Sequence, residues 1–202
     1  MKKFEIIFIA AIALFLCLSG IRDVNDDYLS LQNDVVRMHI LANSDSEEDQ
    51  NLKLQVRDRI LEGTRGWTEG CTSAEEAESV YESRIDEINS MAQQYVYEAG
   101  YDYETRTEVL RMDFDDREYG DITMPQGNYR AVRITIGEAE GHNWWCVMYP
   151  PLCVPAAGAQ SDIDSFSGYF TDGEIDLMKN CGKYKLKLRC AEIYNRITGA
   201  LL

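Results

Sequence analysis

The chain has 202 residues, 45% apolar and 10% aromatic, enough to bury a core of its own. Its 35 acidic and 20 basic residues leave a formal charge of −15, and both nucleic acid and anionic lipid headgroups repel such a surface. That excludes a nucleic-acid-binding protein and requires any partner to be recognised through specific contacts.

Residues 1–20 place Lys2 and Lys3 before an unbroken apolar run from Ile6 to Leu18, the layout of an export signal. As a helix this run reaches roughly 20 Å, short of the ~30 Å hydrocarbon core of a bilayer. We expect a signal peptide ending near Ser19 or Gly20, with an uncleaved signal anchor as the rival. Leu16 before Cys17 is too large for a lipoprotein signal. Residues 21–34 read as a polar linker and 35–202 as a single α+β domain.

Val36, Met38 and Ile40 alternate with Arg37 and His39, which predicts a half-buried strand. "ANSDS" ends it, and Ser44 with Glu47, or Ser46 with Asp49, fits a helix-capping signature. The helix that follows carries Leu52, Val56 and Ile60 on one face, with Gly63 near its end. Glu47, Glu48 and Asp49 fill its first turn, so the protein supplies its own anions there and the turn is a poor phosphate site. After the glycine-rich "GTRGWTEGCT", Ser73 and Glu76 cap a second helix. Its apolar face holds Ala77, Tyr81, Ile88, Met91 and Tyr95, and Gly100 stops it.

"TRTEVLRMDF" and "NYRAVRITIG" read as strands joined through the turn "MPQGN", with "WWCVMY" as hairpin partner of the second. The expected fold is α+β: an antiparallel sheet of about four strands against about three helices. From Pro150 to Asp172 the chain reads as a long loop, a kind of segment that is often functional. "KYKLKLRCAEIYNRITGALL" predicts a final helix with Leu186, Cys190, Ile193 and Ile197 as its buried seam.

Catalytic signatures are missing from the sequence. His39 and His142 are the two histidines, and neither lies in an HExxH or G-x-S-x-G pattern. Asp113, Asp115 and Asp116 cluster without the spacing of a calcium loop and read as a solvated strand end. No cysteine spacing suggests zinc, so neither metal nor cofactor is expected. The exported part holds Cys71, Cys146, Cys153, Cys181 and Cys190, an odd number that cannot all pair internally. Cys146 and Cys153 bracket "VMYPPL" closely enough for a small disulfide loop, or both are buried apolar residues. Trp144 and Trp145, adjacent on a strand, must point to opposite faces.

"HILANSDSEEDQNLKLQVRD" and "MPQGNYRAVRITIGEAEGHNWWCVMYPPLC", behind an exported N-terminus, resemble the stage II sporulation protein R family. The resemblance implies a non-enzymatic signal made in the forespore and secreted between the forespore and mother-cell membranes. There it would activate a membrane-embedded aspartic protease, of the stage II sporulation protein GA type, that processes the sigma-E precursor. Membrane contact would come only through the N-terminal segment. Receptor-contact candidates are Asn143, Trp144, Trp145, Pro150 and Pro151, with Asn43 and Asp45 from the first motif. The alternatives are an exported cell-wall hydrolase and a membrane-tethered structural domain.

Overall fold

The computed structural model describes residue 8 and residues 24–151, 168–185 and 188–189. The expectations for the export signal, for Cys153 and Cys190, for most of the 150–172 loop and for the final seam lie outside these residues.

Strand β1 (Val36–Leu41) is the organising element. It is buried on both faces rather than one, so both of its edges must be paired inside a sheet. It pairs in parallel with β5 (Gly127–Ile136) and antiparallel with β6 (Asn143–Tyr149). On the far side of β5 lies β2 (Thr105–Phe114), antiparallel to it, giving the order β2-β5-β1-β6.

The sheet is therefore mixed, which corrects the antiparallel expectation. The physical reason is the crossover after β1. Helices α2 (Glu47–Gly63), α3 (Ala74–Ser83) and α4 (Ile85–Glu98) all fall between β1 and the next strand, and a covering crossover of that length lets a later strand run parallel. Nor is β6 the hairpin partner of β5, because their link passes over the end of β1 and β1 lies between them. Period-two patterning identifies faces, not neighbours.

Each face carries a core. Val36, Met38 and Ile40 pack with Leu52, Val56 and Ile60 of α2 and with Ala77, Tyr81, Ile88 and Val96 of α3 and α4. The opposite face packs Tyr129, Ala131 and Val147 against α1 (24–33) and α5 (Asp172–Lys179). A small hairpin of β3 (Arg117–Tyr119) and β4 (Ile122–Met124) also covers this side.

Helix α1 replaces much of the expected linker. Tyr28 and Leu31, three apart, are buried on its inner side together with Gln32, while Asp26 and Asn33 are exposed. The single helix expected after Ser73 is two, broken at Arg84, whose backbone leaves the helical region at φ −119°, ψ 23°. Helix α5 begins at a capping box of Thr171 and Glu174, a T-x-x-E signal present in a stretch read as loop.

Candidate functional site

The link from β5 to β6 crosses the end of β1 where "ANSDS" leaves the sheet, so the two sequence motifs meet at one corner. The Asn43 amide donates to Asp49 Oδ2 at 2.8 Å and its oxygen accepts from the Glu138 backbone N–H at 3.0 Å. Ser44 Oγ donates to the same Asp49 oxygen at 2.6 Å. The backbone N–H groups of Glu140 and Gly141 donate to the carbonyls of Asn43 and Ala42. Gly137 (φ 57°) and Gly141 are needed here, because an added Cβ would lie 2.2 Å from Asn43 Oδ1 or from the Ser44 carbonyl.

Helix α2 starts from this corner. Ser46 caps it by accepting from the Asp49 N–H at 3.2 Å. Asp49 is only 4% exposed. Burial pushes its carboxyl up, yet hydrogen bonds from Ser44, Asn43 and Tyr103 outweigh that and hold it below the usual range. Lys53, also buried, donates to Gln50 Oε1 and to the His142 carbonyl at 2.7 Å, locking α2 to the β5–β6 link. Its ammonium is shifted down by desolvation.

Asp45 and His142 form the exposed rim of the corner. Asp45 Oδ1 accepts from the His142 backbone N–H and contacts ring Nδ1, both at 2.5 Å. The side-chain hydrogen bond to His142 is the main cause that lowers the Asp45 carboxyl. A carboxylate holding a histidine is the orienting half of a general base. Among the described residues, however, no hydroxyl or thiol hydrogen-bonds the other ring nitrogen, and no group of three or more His, Cys, Asp or Glu is placed to hold a metal. Asp116 and Asp113 instead fasten Gln126 and Asn128 by hydrogen bonds of 2.8 and 3.0 Å.

The tryptophans take opposite faces. Trp144 joins the helix side, where the Arg57 guanidinium lies 4.4 Å from its ring centre. Trp145 lies on the other side, stacked at 4.2 Å on His39. Both are half-buried, while Asn143 is exposed. Asp45, Arg117, Glu140, Gly141, His142, Asn143 and Trp145 line a cavity of about 420 Å³. Pro150 and Pro151 lie at the opposite end of β6, roughly 20 Å away at ~3.3 Å per residue; Pro150 is buried after a cis peptide bond and Pro151 is exposed. The seven receptor-contact candidates therefore form two groups: Asn43, Asp45, Asn143 and the tryptophans towards the corner, and the prolines apart.

Cys146 is disulfide-bonded, with its partner outside the described residues, whereas Cys71 and Cys181 are free. Sequence reasoning passed over Arg37, Arg117 and Arg133, which the fold brings to the Trp145 side of the sheet. Each reads locally as an ordinary strand residue, so no local signal marked them.

The fold and this corner define a mixed-sheet α+β domain whose distinctive residues build and display a surface. The match to known proteins gives the particular family. The family model for stage II sporulation protein R matches residues 32–158. The stage II sporulation protein R of Bacillus subtilis (strain 168) is 35% identical over 163 residues, covering 76% of this chain and 71% of the relative. No solved structure matches. The chain belongs to the stage II sporulation protein R family, and its role lies in sporulation.

Proposed function

We propose that the chain is an exported signal that acts in the space between the forespore and mother-cell membranes. It activates a membrane-embedded aspartic protease, of the stage II sporulation protein GA type, that cleaves the sigma-E precursor. Family membership supports the sporulation setting. The observation that carries a binding role is the corner itself. It joins two distant motifs, yet leaves Asp45, His142 and Asn143 exposed on a rigid frame. Exposed side chains on fixed backbone suit recognition.

Activation then follows from preferential binding. The domain shifts the protease towards its active arrangement only in so far as it binds that state better. The working surface on this reading is the corner end of β6, with Asn143 and the accessible edge of Trp145. The prolines at the far end of the strand do not belong to it.

Co-expression in a non-sporulating bacterium tests the proposal. This chain, the protease and the sigma precursor are produced together, and precursor size is followed on a gel. Cleavage that requires this chain and its export is the expected result. Uncleaved precursor, with all three proteins present and folded, would rule the proposal out.

A further inference from the structure

Among the described residues, four buried guanidinium nitrogens without a hydrogen-bond partner fall on three residues: Arg37, Arg117 and Arg133. Strand register explains why they gather. Glu108, Arg133, His39 and Trp145 form one row across all four strands, so their side chains share a face. Arg37, two residues before His39, shares that face. Arg117 reaches over from β3, its guanidinium carbon 5.4 Å from the Trp145 ring centre.

Three guanidiniums thus converge around the uncharged His39 imidazole in a chain of net charge −15. The carboxylate in the row does not balance them. Glu108 binds Arg106 at 2.6 Å and stands 3.9 Å from Arg133. Arg37 is fully buried, donating to Tyr119 Oη at 3.0 Å with its guanidinium carbon 4.0 Å from the Phe114 ring centre. Aromatic faces compensate part of that charge, but Nε and Nη1 stay unsatisfied. Buried donors left this way cost free energy. The cluster is not sealed, since Arg117 and Trp145 also line the 420 Å³ cavity at the corner.

We propose that this cluster receives a carboxylate borne by an acidic side chain of a partner polypeptide. Arg117, which lines the cavity, carries an unused buried Nε–H, and Arg133 carries a second on the same face of the sheet, away from the lining; guanidinium N–H groups match a planar carboxylate. The Trp145 indole offers an apolar wall for the methylene stem of a glutamate or aspartate. Asp45 and Glu140 line the same cavity and repel a dianion more than a monoanion, which disfavours phosphate. The inference concerns ligand chemistry and does not rest on the protease-activation reading.

The test uses the full chain, ¹⁵N-labelled, with the side-chain Nε–H signals of Arg117 and Arg133 and the Trp145 indole signal as readouts. Four probes are titrated: an end-capped peptide with one central glutamate, its glutamine counterpart, an uncharged peptide with a free C-terminal carboxylate, and inorganic phosphate. Saturable shifts with the glutamate peptide and none with the glutamine peptide are expected. Arg117→Gln and Arg133→Gln, with backbone spectra confirming the fold, should weaken binding about tenfold or more. Glu140→Gln, an exposed rim change, should tighten it. No saturable response to the glutamate peptide, a response confined to phosphate or the C-terminal carboxylate, or unchanged affinity in all three variants would overturn the proposal.

Discussion

Asn43 uses both ends of its amide inside the corner, one towards Asp49 and the other from the Glu138 N–H. Removing it orphans groups on two elements at once. Asn43→Ala should therefore destabilise the domain by about 1–3 kcal/mol, read as a lower denaturant midpoint at unchanged slope. Asp45 differs: it is exposed, holds the exposed His142 and takes one long contact from the Gln50 amide at 3.4 Å. Asp45→Asn should leave the unfolding midpoint where it is, so any loss of signalling would belong to the surface. The motif residues thus divide into frame and display.

His39 sets the acid behaviour. Desolvation by burial is the main cause that lowers its pKa to about 4, and Arg133 and Arg37 add to it, while Asn143 works the other way. The unfolded chain takes up a proton near pH 6.5 and the folded chain does not. Stability should accordingly fall from pH 6.5 towards pH 4, by up to about 3 kcal/mol. Asp49 acts in a lower window, because its depressed carboxyl contributes stability above the unfolded carboxylate range and loses it below. Denaturant titrations between pH 7 and pH 4 should show this slope in the parent chain and a flatter one in His39→Gln. Equal slopes would contradict it.

At the level of elements, the central fact is that the β5–β6 link must cross β1 tightly. Gly141 permits that approach, since a Cβ would meet the Ser44 carbonyl at 2.2 Å, a backbone atom with little room to yield. Gly141→Ala should cost about 1–3 kcal/mol and perturb the backbone signals of residues 42–46 in a ¹⁵N spectrum. Much at this scale was legible. Alternation placed Val36, Met38 and Ile40 on one face, and the capping signatures at Ser46 and Ser73 mark real helix starts. The parallel pairing of β1 with β5 was not legible, because it depends on which strand a crossover returns to. The break at Arg84 was hidden for a related reason: the apolar stripe continues through it from Tyr81 to Ile88.

For the whole molecule, the two motifs that carry the family resemblance, distant in sequence, share one corner. That corner was only half legible: "ANSDSEEDQ" announced a capped turn, while its docking against "GEAEGHN" is a tertiary event. The cationic cluster was not legible at all, since Arg37, Arg117 and Arg133 lie far apart in the chain and converge only through register. Cys146 is disulfide-bonded, and its partner lies outside the described residues. Peptide mapping without reductant should recover Cys146 joined to Cys153 and leave Cys71 alkylatable; recovery of Cys146 with a different partner would contradict this pairing.

On the proposed function, this folded domain turns on a protease by binding it. The most direct measurement is the rate of precursor cleavage by the purified protease in lipid nanodiscs, as the purified chain is added. The expected result is a saturable rise in rate, with the half-maximal concentration moved upwards by substitution at Asn143 and, at a constant unfolding midpoint, at Asp45. Cleavage at the same rate without the chain, or a rise unchanged by both substitutions, would contradict it.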